Sequence, residues 1–553
     1  MNAAGMGAPL WQKSAVEVVQ MLREGAVKPT ELLDCIESRV KETDAQLNAL
    51  PITFFDRARR DAEDIERRGP PPHPPPGYLY GLPVVVKDLT AVAGEPWVAG
   101  SLLYVERVAT FDDPCVQALR ERGAVIFAKS NTPEFGAGAT TFNDVFGWTK
   151  NPHAASATPG GSSGGTAAAL AAGLTWLGTG TDLGGSLRIP ASFCGVVGLR
   201  PTPGRVPTDY VALERPVRAA HDATHAPDAT ARQRLGEACV ARLQSVTGPM
   251  ARSVDDLALM LDALCGPRPE DPISLPAPST PYSRVVADPS AVLPRGAKLA
   301  WTPNLADTCP VDPATAAVCE AAVRRAFAGG GVAVVDACPD GLRGAREAFQ
   351  VLRAEAFQSL GGLLREPSRS KIKPELVWQI ERGMNLTSAE LTTARATAQR
   401  LRAGFDAFFG SFNEGGDRRG GADAGHAVLL CPTCIVPAFE VGVRWLDRPA
   451  SDAVGGGGGA ERFDNYIEWL MMTSVLSLTN CPAASVPCGV DARGLPVGVQ
   501  VVGPMGREDL VLAVCKTIET ACARDVKPVP VQNLVSSAGL SSGEGWQSSV
   551  DMY

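Results

Sequence analysis

The sequence contains no apolar run long enough to span a bilayer, for which about 20 consecutive residues are needed. Its first residues, MNAAGMGAPLWQKS, lack the apolar core of a signal peptide. These absences predict a protein with no membrane anchor, located in the cytoplasm. A basic stripe is also missing: 52 Lys and Arg stand against 60 Asp and Glu, for a net charge of -8. Phosphate backbones are held by clustered cations, so no nucleic-acid partner is expected. The 14 cysteines form no dense framework and are scattered singly, as at Cys35, Cys265, Cys338 and Cys515. Disulfide scaffolds are short and cysteine-rich, so these read as small buried hydrophobes. Cys431 and Cys434 make one CxxC within LLCPTCIVPAF, but the second Cys pair or His pair that a structural zinc site wants is not nearby. They read as two buried thiols at a strand end, and no metal is expected. There is no internal repeat.

What is present is the composition of a large globular core. Hydrophobic residues make up 45% of 553 positions, and the mean hydropathy is +0.01. Length alone would suggest three or four domains, but large α/β enzymes exceed that rule. Amphipathic helical patterns cover residues 14–24, 29–43 and 55–68, followed by the stiff surface linker PPPHPPP at 70–76. LPVVVKD at 82–88 reads as a strand, 115–122 as a helix and 124–129 as a strand. Further helices are expected at 253–264, across 342–410, at 463–478 and at 507–523, and strands near 297–301, 331–336, ASVPCGV and LPVGVQVVG. Strands alternating with helices predict an α/β class with a parallel or mixed sheet. Residues 214–247 read as a polar surface insertion, 413–421 and 455–459 as flexible loops, and 530–553 as a disordered tail.

Two Gly- and Ser-rich clusters stand out: PGGSSGGTAAALAAG at 159–173 and GTGTDLGGSLRIPAS at 178–192. The first fails as a P-loop, because Gly165 runs directly into Thr166 with no lysine between. The second fails as a dinucleotide fingerprint, since Leu183 stands where the third glycine belongs. Gly160 to Gly164 fits G-x-S-x-G, the nucleophile elbow of α/β-hydrolases. An elbow follows an apolar strand, however, and NPHAASATP precedes this one. It also needs a later acid and then a histidine, and only His221, His225 and His426 follow. One cluster alone would read as a Gly- and Ala-rich packing segment. Two clusters, with Ser162 and Ser186 twenty-four residues apart and Lys87 at a strand end, point to catalysis.

The stretch from Gly160 to Ala191 resembles the amidase signature, matching at Gly160, Gly161, Ser162, Ser163, Gly164, Gly165, Gly178, Gly180, Asp182, Gly184, Ser186, Leu187, Arg188 and Pro190. GLPVVVKD at 81–88 is similar to that family's lysine-bearing strand, and 127–152 and 478–512 are also family-like. The resemblance is close over 9–210 and 425–523. It implies one catalytic domain over 1–529, with a large mixed central β-sheet covered by α-helices on both faces. Position by position, it places the catalytic lysine on Lys87, the relay serine on Ser162 and the nucleophile on Ser186. The chemistry agrees with these residue types. A serine hydroxyl needs a base to take its proton, and a lysine serves as one only when burial keeps it neutral. Ser162 can relay because a hydroxyl both donates and accepts.

Leu183, Gly184, Gly185 and Ser186 offer successive backbone N–H groups for an oxyanion, with Thr181 and Ser163 in the hydroxyl network. Asp182 and Arg188 read as an ion pair supporting the loop, and Lys129 as structural. The implied reaction is hydrolysis of an amide, ester or carbamate through an acyl-enzyme, with no cofactor. The alternative is a glutamine-hydrolysing component of an amidotransferase, which releases ammonia beside partner chains. In those components Met-Asp typically stands where Thr132-Pro133 stands here, so a stand-alone amidase of a small-molecule amide is the better match. Gly136, Ala137 and Gly138 would then line the acyl side. Monomer and homodimer both stay open.

Overall fold

Short apolar runs rich in valine, bounded by glycine, proline or charged residues, form the strands. The structure is a computed structural model that describes residues 9–209, 245–410, 425–447, 449 and 462–522. Its strands are β1 (Ile52–Thr53), β2 (Pro83–Lys87), β3 (Val125–Ser130), β4 (Phe142–Asn143), β5 (Gly147–Trp148), β6 (Leu177–Asp182), β7 (Val197–Arg200), β8 (Val246–Ala251), β9 (Lys298–Trp301), β10 (Ala333–Asp336), β11 (Val428–Pro432), β12 (Ala483–Val490) and β13 (Pro496–Val502). All but β4 and β5 join one eleven-stranded sheet in the order β1-β3-β2-β6-β8-β7-β12-β13-β11-β9-β10. It is mixed: β2 runs parallel to β3 and β6, whereas β8 is antiparallel to β6 and β12 to β13.

Side chains alternate across a strand, and here the alternation separates two cores. Leu299 and Trp301 of β9, Val428 and Leu430 of β11, and Val497, Val499 and Val501 of β13 enter one. Ala300, Leu429, Cys431 and Val502 enter the other. The first is closed by helices Ala15–Arg23, Pro29–Leu47, Val254–Leu264, Pro313–Ala326 and Glu508–Cys522. The second is closed by Ala345–Phe357, Ser388–Phe409 and Met471–Ser477. The expected α/β class, with helices over both faces of a large mixed sheet, is the fold observed.

Local chemistry sets the element ends. Ser14 caps the first helix through a reciprocal bond pair with Glu17. The second helix begins at Pro29, with Glu31 accepting from the Lys28 N–H at 2.8 Å, and runs to Leu47, past the expected 43. The helix expected at 463–478 is shorter: a 3-10 turn, Glu468–Leu470, leads into Met471–Ser477. The side chains of Glu468 and Asn465 compete for the backbone here, Glu468 Oε2 accepting from the Asp464 N–H and Asn465 Oδ1 from the Ile467 N–H. Val246 and Thr247 open β8 rather than close the polar insertion. The rest of that insertion up to residue 244, the loops at 413–421 and 455–459, and the tail at 530–553 lie outside the described residues. No helix among the described residues is long and apolar enough to cross a membrane.

Candidate active site

The strand β2 reads PVVVK and is buried at all five positions. It delivers Lys87 to the sheet interior with none of its surface exposed. Beside it, β6 carries glycines where helix Gly164–Ala171 crosses. A Cβ on Gly178 would lie 2.6 Å from Thr166, and one on Gly180 would lie 2.5 Å from Ser163 Oγ. The two glycines let the helix seat its N-terminal serines against the end of β6.

Lys87 Nζ is surrounded by hydroxyls. Ser162 Oγ lies at 2.7 Å, Thr181 Oγ1 at 2.9 Å and Ser163 Oγ at 3.0 Å. No carboxylate pairs with it among the described residues. Burial lowers its pKa from 10.5 to about 7, against the opposing attraction of Asp182. A neutral amine donates two hydrogen bonds and accepts one, so one of the three hydroxyls can direct its proton to Nζ. Ser163 also receives the Thr181 N–H at 3.3 Å, and its own N–H donates to the Ser186 carbonyl at 3.2 Å, which joins the two serine clusters.

Ser186 sits half-buried on the loop after β6, behind Gly185 at φ 130. Asp182 organises this loop, accepting the Gly185 N–H at 2.8 Å and the Leu187 N–H at 3.1 Å. It also takes both arms of Arg188, at 2.9 and 3.0 Å, with Arg200 behind at 3.6 Å. Burial alone would raise the Asp182 pKa, but the two guanidiniums overcome it and hold it at about 2. The Gly185 N–H is therefore spent inside the loop. Those of Leu183, Gly184 and Ser186 have no acceptor among the described residues. The Ser186 and Ser162 hydroxyls are not hydrogen-bonded to each other.

Gly136 closes the other side. A Cβ there would lie 3.7 Å from Ser162 Oγ and 2.7 Å from Leu89. The neighbouring Ala137 carbonyl accepts from Lys373 Nζ. Lys129 is elsewhere, paired with Asp88 at 2.7 Å and donating to the Pro96 carbonyl. His426 stacks on Phe408 with ring centres 4.2 Å apart, and His153 meets the Cys194 carbonyl. Among the described residues no histidine bonds either serine, which removes support for an elbow. His221 and His225 lie outside the described residues. Cys431 is the penultimate residue of β11 and Cys434 follows the strand, both buried.

Sequence reasoning missed the residues that hold the loop from the far end of the chain. Thr473 Oγ1 donates to the Gly184 carbonyl at 2.7 Å. Gln500 accepts from Arg188 at 2.7 Å, as does Ser477 at 2.7 Å. Phe349 packs where a side chain on Gly184 would go. One of these was visible: Gln500 is the lone polar side chain in the apolar run of β13.

The family model described as Amidase matches residues 31–512. The chain belongs to the amidase signature family. An acylamidase of Rhodococcus erythropolis is 31% identical over 512 residues, spanning 92% of this chain and 94% of that one. The A subunit of a glutamyl-tRNA(Gln) amidotransferase from a Synechococcus strain is also 31% identical, spanning 90% and 95%. Among solved structures, 6-aminohexanoate cyclic dimer hydrolase complexed with substrate superposes with a TM-score of 0.73 at 28% identity, over 94% of this chain and 99% of that one. As a member of the amidase signature family, the protein is an enzyme that acts on amide C–N bonds.

Proposed function

We propose that this amidase hydrolyses small-molecule carboxylic amides with Ser186 as nucleophile, Ser162 as proton relay and Lys87 as base. The observation that carries the reading is Lys87: fully buried, without a carboxylate partner among the described residues, and within 3.0 Å of three hydroxyls. A lysine held for structure would be paired, as Lys129 is.

Ser186 Oγ attacks the amide carbonyl while its proton passes to Ser162 and the Ser162 proton passes to Lys87 Nζ. The hydrogen bond between the two serines forms as substrate seats, since catalytic contacts tighten in the reacting complex. The tetrahedral oxyanion meets the N–H groups of Leu183, Gly184 and Ser186. Collapse expels the amine, which receives a proton back through Ser162. Water then repeats the sequence on the acyl-enzyme and releases the acid. Thr181 and Ser163 fix the lysine, and Asp182 with Arg188 fixes the loop.

One catalytic domain over 1–529 fits the continuous sheet. A cytoplasmic setting fits the described cysteines, all free thiols. Fluorophosphonate labelling followed by peptide mass mapping tests the assignment. The adduct is expected on Ser186; an adduct on Ser162, with Ser186→Ala still active, overturns it.

A second reading, the glutamine-hydrolysing component of an amidotransferase, is favoured by one observation: the acylamidase and the amidotransferase relative stand at equal identity. Glutamine-dependent ammonia release requiring a co-purifying partner would support it. Amide turnover by the isolated chain would exclude dependence on one.

A further inference from the structure

Helix Ala345–Phe357 runs along the site on one face. Phe349 lies against Gly184, and Phe357 belongs to the apolar cluster that contains Phe135 and Ala137. Residues four apart share a helix face, so Arg353 stands midway between these two walls, about 6 Å along the axis from Phe349.

Arg353 is 4% exposed and lacks a carboxylate partner among the described residues. The other deeply buried arginines each have one: Arg188 and Arg200 meet Asp182, and Arg205 meets Glu508. Its Nε donates to Gln379 Oε1 at 3.2 Å and its Nη2 to the Tyr466 oxygen at 3.1 Å. Tyr466 in turn donates to Gln379 Oε1 at 3.0 Å. The acceptor capacity of the Gln379 amide oxygen is thus spent. Its Nε2, on a side chain with no exposure, has no partner among the described residues. What remains is donors: guanidinium N–H groups and an amide NH2. Two acids of this region are already engaged, Glu134 with Ser101 and the Lys373 N–H, and Glu375 with Arg444. Lys373 adds positive charge beside Gly138, where a Cβ would lie 3.6 Å from Nζ.

A buried cation surrounded by unspent donors is stabilised by an anion that accepts from it, and a carboxylate matches the guanidinium fork. We propose that Arg353 and Gln379 form a carboxylate-binding subsite, so that the enzyme takes amides whose acyl chain ends in a carboxylate a few atoms from the scissile carbonyl. The proposal rests on Ser186 being the reacting centre. An arginine that only ties the helices at 345–357 and 374–384 to Tyr466 would affect every substrate alike.

The test compares kcat/KM of the full-length enzyme for succinyl, glutaryl and adipoyl p-nitroanilides with that for uncharged acyl anilides of the same length. One carboxylated chain is expected to be favoured about tenfold or more, the range of a hydrogen bond to a charged group. In Arg353→Met that ratio should fall to one or below, in Arg353→Lys it should be partly kept, and in Gln379→Glu it should invert. A wild-type ratio of one or less at all three lengths, or an unchanged ratio in Arg353→Met, overturns the subsite. If neither anilide class turns over, millimolar glutarate should still slow fluorophosphonate labelling of Ser186 in the wild type and not in Arg353→Met. Equal protection in both overturns the subsite while leaving the catalytic reading intact. Absence of both turnover and labelling overturns both.

Discussion

On the proposed mechanism, the charge state of Lys87 sets the pH dependence of the enzyme. Burial brings its pKa from 10.5 to about 7. At pH 7 about half of the molecules then hold a neutral amine, against roughly one in 3,000 for an ordinary lysine. The rate of Ser186 labelling by a fluorophosphonate, and kcat/KM for an uncharged amide, should each rise with unit slope to a plateau with a midpoint near 7. At pH 5 both should stand about 100-fold below the plateau. Lys87→Arg replaces the proposed base with a group that stays charged, and should lower kcat/KM by about 10²–10⁴, the usual contribution of a positioned base. The same burial affects folding. The unfolded lysine binds a proton that the folded one resists, so between pH 7 and 10.5 the unfolded state carries the extra proton and stability rises with pH. Across that window the effect is on the order of 5 kcal/mol. Lys87→Met should therefore lose activity yet raise the denaturation midpoint at pH 7, and the gain should shrink toward pH 10. A labelling rate that is flat from pH 5 to 9, or a Lys87→Met protein less stable than wild type at pH 7, would refute a neutral buried base.

Asp182→Asn removes the anion facing Arg188 and Arg200 and should cost about 3–5 kcal/mol, read as a lowered urea midpoint together with lost Ser186 labelling. Gly180→Ala places a methyl 2.5 Å from Ser163 Oγ; a drop of about tenfold or more in labelling, for a cost of about 1–3 kcal/mol, is expected from kinetic assay. Thr473→Val deletes the bond to the Gly184 carbonyl and should lower kcat by roughly fivefold, with KM less affected, for the loss of about 1 kcal/mol. His426→Ala should leave kcat/KM within about twofold, as surface changes away from the chemistry do.

The strands were legible where they carried their own signal. PVVVK ends in a charge after four apolar residues, and β2 is found there nearly to the residue. The two glycine clusters and the strand-end lysine were legible as one locality, since the structure brings Ser162 and Ser163 to Lys87 and joins Ser163 to Ser186. Less legible was which backbone donors stay free. That depends on Asp182 folding back over its own loop to take the Gly185 N–H, a contact between residues three apart that no spacing rule distinguishes from open solvent. The 463–478 helix is shorter than its periodicity predicts because periodicity carries no signal of the competing side-chain bonds of Glu468 and Asn465. Arg353 and Gln379 are twenty-six residues apart on separate helices, and nothing in either segment signals that they meet.

The bonds from Thr473, Ser477 and Gln500 to the loop that carries Ser186 reach across 285 to 312 residues of sequence. A chain emerging from the ribosome therefore presents Lys87, Ser162 and Ser186 long before these C-terminal partners can lock the loop that carries Ser186, which until then has the bonds of Asp182. Until residues 473–477 are synthesised the Arg188 side chain has only Asp182, and its last partner, Gln500, arrives with β13, which inserts between β11 and β12. Activity in a series of C-terminal truncations should accordingly appear in one step once residues through β13 are present, rather than build up with length.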